Sequence, residues 1–412
     1  MTASCAQLRR DLEALQTAKR YFDAALQAGK LDEAKDRKGE LERKYIELED
    51  KIELDRNWID WRREMAEKFG YTSVRKPVEG IAKVVVGEEV IFIDQTGTPI
   101  GNGRFKSSDE FSEGLATVSD ESGRFFIDRT GRPVTARRFD YVGAFSGGVA
   151  WAEMGVSSSG RLFLIDRSGN TLTGEMYNLA RKFCEDVAAV CDGRHWFFVD
   201  RRGVAVSKHF KDAYDFSEGL AAVNDETGWH FIDHTGKSVT TERYEHLGSL
   251  ADGLAVAADK QGRFFVDRNG KRLNDQRYRK AISFYEGFAW VQDEEGWFFI
   301  DHTGKAVTSE RYSGGSERFH EGIMTVKNKA GKYFFIDRAG KRISDREFQF
   351  ANSFHEGRAM VKDEKGYFFI DRFGNSVIDK RYKNTEDFSQ SLARVKDETG
   401  RYSIDRLGRR IF

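Results

Sequence analysis

Ten aspartates recur along this chain: Asp94, Asp128, Asp166, Asp200, Asp233, Asp267, Asp301, Asp337, Asp371 and Asp405. The gaps between them are 34, 38, 34, 33, 34, 34, 36, 34 and 34 residues. Repeated carboxylates could ligate a metal or move protons. Each of these, however, is followed three residues later by glycine, and no D-x-D-x-D-G calcium loop is present. An aspartate at a turn accepts backbone N–H groups two residues on, so the ten are read as turn caps. The eight histidines share no metal-ligand spacing, and the pairs His234/His302 and His320/His355 each sit in one repeat register. Cys184, Cys191 and His195 fall close together in sequence as a weak thiol or metal constellation. Their positions, one in a turn slot and one before the next turn, separate them. The chain has no phosphate-binding G-x-x-x-x-G-K-[ST], no dinucleotide-binding glycine motif and no H-E-x-x-H. No catalytic, cofactor-binding or metal-ligating residue is expected, and the protein is read as not an enzyme.

The period itself is the mark of a tandem array. Residues present in every unit build the unit, and function is sought where units differ. In the unit around Gly219, Gly219–Val223 reads as a strand and Asn224–Gly228 as a turn. Trp229–Asp233 reads as the return strand, and a third strand is expected to begin at Ser238–Thr240. An aromatic eleven residues after the closing aspartate recurs as Phe105, Phe139, Tyr177, Phe210, Tyr244, Tyr278, Tyr312, Phe348 and Tyr382. The glutamates Glu113, Glu218, Glu286, Glu321 and Glu356 are taken as structural, paired with arginines such as Arg243, Arg277, Arg311 and Arg381.

The unit's core, F-S-E-G-L-A-x-V-x-D-E-x-G-x-F-F-I-D-R-x-G, resembles the WG repeat family over residues 78–412. Four residues before the closing aspartate, the family's tryptophan stands as Trp196, Trp229 and Trp297 but is Arg124, Arg263, Tyr333, Tyr367 or Arg401 elsewhere. The family's next glycine is replaced mostly by phenylalanine, as at Phe125, Phe197, Phe264, Phe298 and Phe368. The chain thus reads as a divergent, phenylalanine-rich version. The resemblance implies tandem β-repeats used for interaction and supplies no catalytic motif.

The elements that carry these positions give a mainly β tandem-repeat array of about ten units of ~34 residues over 71–412. Either an open superhelical β-solenoid or a β-propeller-like ring fits, the unit number favouring the open form. An N-terminal α-helical hairpin or coiled coil is expected over 1–70, with apolar seams at Leu8, Leu12, Leu15, Phe22 and Leu26 and from Ala34 to Phe69. Its overhang, with Trp58, Trp61 and Met65, is expected to dock on the first unit as a cap or to bind a partner.

Lys+Arg and Asp+Glu are both 67, so a nucleic-acid partner is disfavoured. No long apolar run predicts a membrane span. Three cysteines without a framework, and no apolar leader, point to the cytoplasm.

Within the first strand, residues two and four after the glycine are small or Val and form one buried face. The residue between them varies, giving Trp151, Trp290 and Met360 as candidate partner contacts. Two insertions add Met154, within 151–160, and Arg318, within 313–318; Trp58 and Trp61 complete the set. The leading expectation is a non-catalytic scaffold or adaptor for a protein partner. The alternative is glycan or small-ligand binding through aromatics on the array. The oligomeric state is left open.

Overall fold

The computed structural model describes residues 61, 64–65, 67–71, 73–75, 77–154, 161–378, 380–389, 392–406 and 408–410. The expected helical hairpin, with Trp58, lies outside these residues except at its end, where Trp61, Glu64, Met65 and 67–69 are helical. The chain divides into two compact units, Met65–Glu294 with Phe299–Lys305, and, among the described residues from 295 on, Glu295–Phe298 with Ala306–Phe412.

Among the described residues the strands form ten antiparallel three-stranded sheets, one per repeat. We number the repeats one to ten by their closing aspartates, Asp94 to Asp405. In repeat two the strands are Ser107–Ser108, Leu115–Asp120 and Gly123–Asp128. The long pair is in register as Ala116↔Ile127, Thr117↔Phe126 and Val118↔Phe125. The recurring aromatic then closes the sheet: Phe139 exchanges backbone hydrogen bonds with Arg124, each donating to the other's carbonyl. Gly123 permits this approach, because a Cβ there would stand 2.9 Å from the Phe139 carbonyl oxygen.

The expected third strand is corrected. After the closing aspartate, repeat five makes only isolated bridges, Ile232↔Ser238 and Trp229↔Tyr244, and no continuous strand. Its third strand is instead the two-residue Asp212–Ala213, which precedes the long pair. The reason is local: the closing turn folds the chain back sharply, and the segment after it touches the return strand only at single bridges.

The closing aspartates do cap their turns. Asp128 Oδ1 accepts the N–H of Thr130 at 2.8 Å and of Arg132 at 3.1 Å. Asp233, Asp301, Asp337 and Asp371 repeat the pattern. The Thr130 hydroxyl, against the opposing effect of burial, and then these backbone donors hold the Asp128 carboxyl below its usual range.

The F-x-E-G segment is a two-residue hairpin turn. Ser112 and Leu115 exchange backbone hydrogen bonds, and Glu113 and Gly114 both have positive φ, at 52° and 77°. A glutamate in that conformation is strained by about 1–2 kcal/mol. What offsets the strain is contact with the next repeat: the Glu113 carboxylate accepts the N–H of Gly147 at 2.6 Å and of Gly148 at 3.0 Å. Glu79→Gly114, Glu185→Gly219, Glu218→Gly253 and Glu321→Gly357 repeat this clamp, with the glycine donating each time. Arg129 and Arg167, one residue past the closing aspartate, donate back to the carbonyls of Glu79 and Glu113.

The glutamates' expected arginine partners are therefore corrected. Arg277 and Arg381 pair with Asp259 and Asp363, while Arg243 bonds Thr227. Several of these guanidiniums also lie over phenylalanine faces, as Arg311 does over Phe298 at 3.6 Å and Arg381 over Phe368 at 3.5 Å.

Neighbouring sheets cover one another on both faces. Adjacent residues Phe125 and Phe126 point opposite ways, as the strand period demands. Phe125 packs back with Phe92 and Phe105; Phe126 packs forward with Phe145 and Phe163. A strand buried on both faces reads as a continuous apolar run, which is what F-F-I is.

Candidate functional site

The central strand position expected to be displayed is covered. Trp151 is 9% exposed, Trp290 3% and Met360 7%. Trp151 stacks on Phe183, with centroids 5.7 Å apart, and its Nε1 donates to the Arg181 carbonyl at 2.9 Å. Trp290 lies against Phe299, and Met360 packs with Phe369 and Phe388. These three positions are corrected from display to packing: residues of the adjoining repeat cover Trp151 and Met360, and Trp290 packs on Phe299 of its own sheet.

The 313–318 insertion is also absorbed: Gly314–Gly315 forms the short strand of repeat eight, and Ser316 Oγ accepts the Thr325 N–H at 3.2 Å. Arg318 is exposed at its end, and Trp61 is half-buried. Met65 is buried, with its sulfur and the Phe69 ring filling the space beside Gly97 of repeat one.

Cys184 and Cys191 sit at opposite ends of the strand Val187–Cys191, and Cys191 is buried. Burial, then the neighbouring Asp215, push the Cys184 thiol up, favouring its unreactive protonated form. Among the described residues no group of three or more His, Cys, Asp or Glu is placed to hold a metal ion.

Met154 behaves differently: it is 43% exposed. It occupies the slot, six residues after the F-x-E-G glycine, held by Asp120, Asp225, Asp259, Asp363 and Asp397 in other repeats. Those acids anchor the hairpin turn, and three meet the arginine that precedes the bridging aromatic. The distances are 3.2 Å for Arg138–Asp120, 2.8 Å for Arg277–Asp259 and 2.9 Å for Arg381–Asp363. In repeat three that arginine's slot holds Met176, which is 54% exposed. Both members of the pair are thus methionine in one repeat.

The strand register gathers two more apolar residues there. The row Tyr141↔Glu153↔Leu162↔Tyr177 crosses the sheet at its hairpin end, next to Met154 and Met176. Tyr141 is 44% exposed. Leu179, two residues beyond Tyr177, begins the next sheet at the same end and is 55% exposed. The corresponding slots elsewhere are mostly polar or glycine: Ser107, Asp212, His246, Lys280, Gly314 and Asn384. Sequence reasoning singled out Met154 but missed Tyr141, Met176 and Leu179. Aligning the repeats and asking where the Asp–Arg pair is lost would have found Met176.

Fold and site define a tandem array of small antiparallel sheets with one apolar hairpin end. A family model for the WG containing repeat matches residues 125–155, 196–226, 333–367 and 367–402, and the chain carries repeats of this family. No curated protein matches it. Among solved structures, a eukaryotic initiation factor is similar with TM-score 0.41 and 11% identity, over 72% of this chain and 94% of that one. The C-terminal WD40 domain of Sif2 gives 0.31 and 11%, over 62% and 92%, and Kluyveromyces lactis Hsv2 gives 0.27 and 9%, over 71% and 93%.

Proposed function

We propose that the protein is a non-catalytic interaction scaffold that binds a protein partner through the hairpin end of repeat three. The observation carrying this reading is the joint replacement of the turn's Asp–Arg pair by exposed Met154 and Met176. One lost charge would leave its partner unpaired; losing both leaves an apolar surface that Tyr141 and Leu179 extend. Methionine and aromatic groups gathered at the surface suit an adaptable contact. The paired strands of repeats three and four support it, so the surface needs no folding of its own on binding. The reading holds for an open or a closed array.

The aromatics on which a glycan reading would rest, Trp151, Trp229 and Trp290, are buried. The test restores the repeat's own chemistry: the double variant Met154→Asp/Met176→Arg in the full chain. It should fold as well as the parent and recover at least tenfold less partner in quantitative pulldown with cross-linking. Undiminished recovery by the folded variant would remove this surface from consideration.

A further inference from the structure

The chain has six methionines: Met1, Met65, Met154, Met176, Met324 and Met360. Met1 lies outside the described residues. Met65, Met324 and Met360 are buried, whereas Met154 and Met176 are exposed. The exposed methionines are therefore the very two that replace the turn's Asp–Arg pair in repeat three. An apolar surface alone does not ask for methionine. Beside these two, Tyr141 and Leu179 supply exposed apolar area without sulfur.

A thioether differs from those neighbours in its chemistry. Its sulfur takes one oxygen atom from a peroxide, and exposure governs how readily it does so. The product, a sulfoxide, is a strong hydrogen-bond acceptor with no donor. Two sulfoxides in the slots that hold aspartate and arginine elsewhere do not rebuild that pair, because neither donates. Each oxygen keeps its water, and covering it with an apolar partner face leaves an unpaired polar group desolvated. Both side chains are outside the core, so the change leaves the fold intact.

Among the described residues the cysteines compete weakly for the oxidant. Cys191 is buried. Cys184 is half-buried, and its burial favours the protonated thiol, the poorer nucleophile.

We propose that Met154 and Met176 form a reversible oxidation site that switches this surface off, an inference that rests on the partner-binding reading above. The oxidant is a hydroperoxide. Its O–O bond breaks, an S–O bond forms, and the sulfur loses two electrons. With hydrogen peroxide, the second oxygen leaves as water. A sulfoxide reductase reverses the step with two thiols, which become a disulfide while the oxygen leaves as water.

The experiment treats the full chain with hydrogen peroxide and reads each methionine by peptide mass spectrometry. Met154 and Met176 should gain oxygen about tenfold faster, or more, than Met65, Met324 and Met360. The doubly oxidised chain should keep its thermal midpoint, elute earlier from a phenyl column and recover about tenfold less cross-linked partner. The two epimer-specific sulfoxide reductases with dithiothreitol should restore retention and recovery, and dithiothreitol alone should not. Similar oxidation rates at the buried and exposed methionines overturn the proposal. So do unchanged phenyl retention, restoration by dithiothreitol alone, and a loss that tracks oxidation of Met1. Recovery that survives oxidation at both sites but falls in Met154→Asp/Met176→Arg keeps the surface and overturns the switch. Recovery undiminished by either change removes the surface itself, and the switch with it.

Discussion

At the scale of single residues, the repeat acts as its own mutational series. The slot three before the closing aspartate holds phenylalanine in most units but His230 in repeat five and Tyr402 in repeat ten. His230 is 1% exposed; its Nδ1 donates to the Gly228 carbonyl at 3.3 Å, and Nε2 lies 3.8 Å from Asp225. Burial, against that bond and Asp225 and with help from Arg243, holds its pKa below the ordinary value. A depressed folded value means the unfolded chain takes up the proton first. The stability linked to neutral His230 is therefore present above about pH 6.5 and drains away as pH falls below it. His230→Phe should raise the urea midpoint at pH 5.5 more than at pH 7.5, and a shift independent of pH would contradict this assignment. The closing aspartates act lower on the scale. Asp128→Ala should cost about 1–3 kcal/mol at neutral pH and progressively less as pH falls below the ordinary carboxylate value and through the lower folded one.

At the scale of the element, the informative unit is the turn together with its neighbour. Glu113 adopts a backbone conformation suited to glycine because its carboxylate reaches two amides of the following repeat. Two contributions can be separated by substitution. Glu113→Ala should lose the charge-assisted bonds and keep the strain, destabilising by about 2–3 kcal/mol. Glu113→Gly loses the same bonds but relieves the strain, so it should be less costly by about 1 kcal/mol. Equal denaturation midpoints for the two would show that the strained φ costs nothing measurable. The same comparison of elements explains repeat three, whose hairpin end exchanges a staple of opposite charges for an apolar surface. It also explains why the 313–318 insertion, as long as it looks in the sequence, has no freedom: its glycines are paired into a strand.

At the scale of the molecule, packing passes from sheet to sheet. Phe335 is buried in a cluster with Phe348, Phe354 and Phe368, which belong to repeats eight and nine. Phe335→Ala should cost about 3–5 kcal/mol. Hydrogen exchange should then show protection lost from Ile323–Lys327 through Gly366–Ile370, fading with distance as nearest-neighbour coupling requires. Uniform loss along the chain would contradict that coupling. The period, the turn caps and the long strand pairs were legible in the sequence because they are short-range. Asp128 reaches residues two and four ahead, and Ser112 and Leu115 close a turn of two. The glutamate clamp, the arginine–acid pairs and the burial of Trp151 and Trp290 were not legible. Those contacts join chain segments 18 to 36 residues apart, or depend on which face of a sheet is covered. Alternation along one strand separates its two faces but does not say that both are buried. The sequence by itself determined the repeat, its turns and its apolar strands. Only the tertiary structure decided which variable residues face solvent, because stacking one sheet on the next fills the face that a single repeat leaves open.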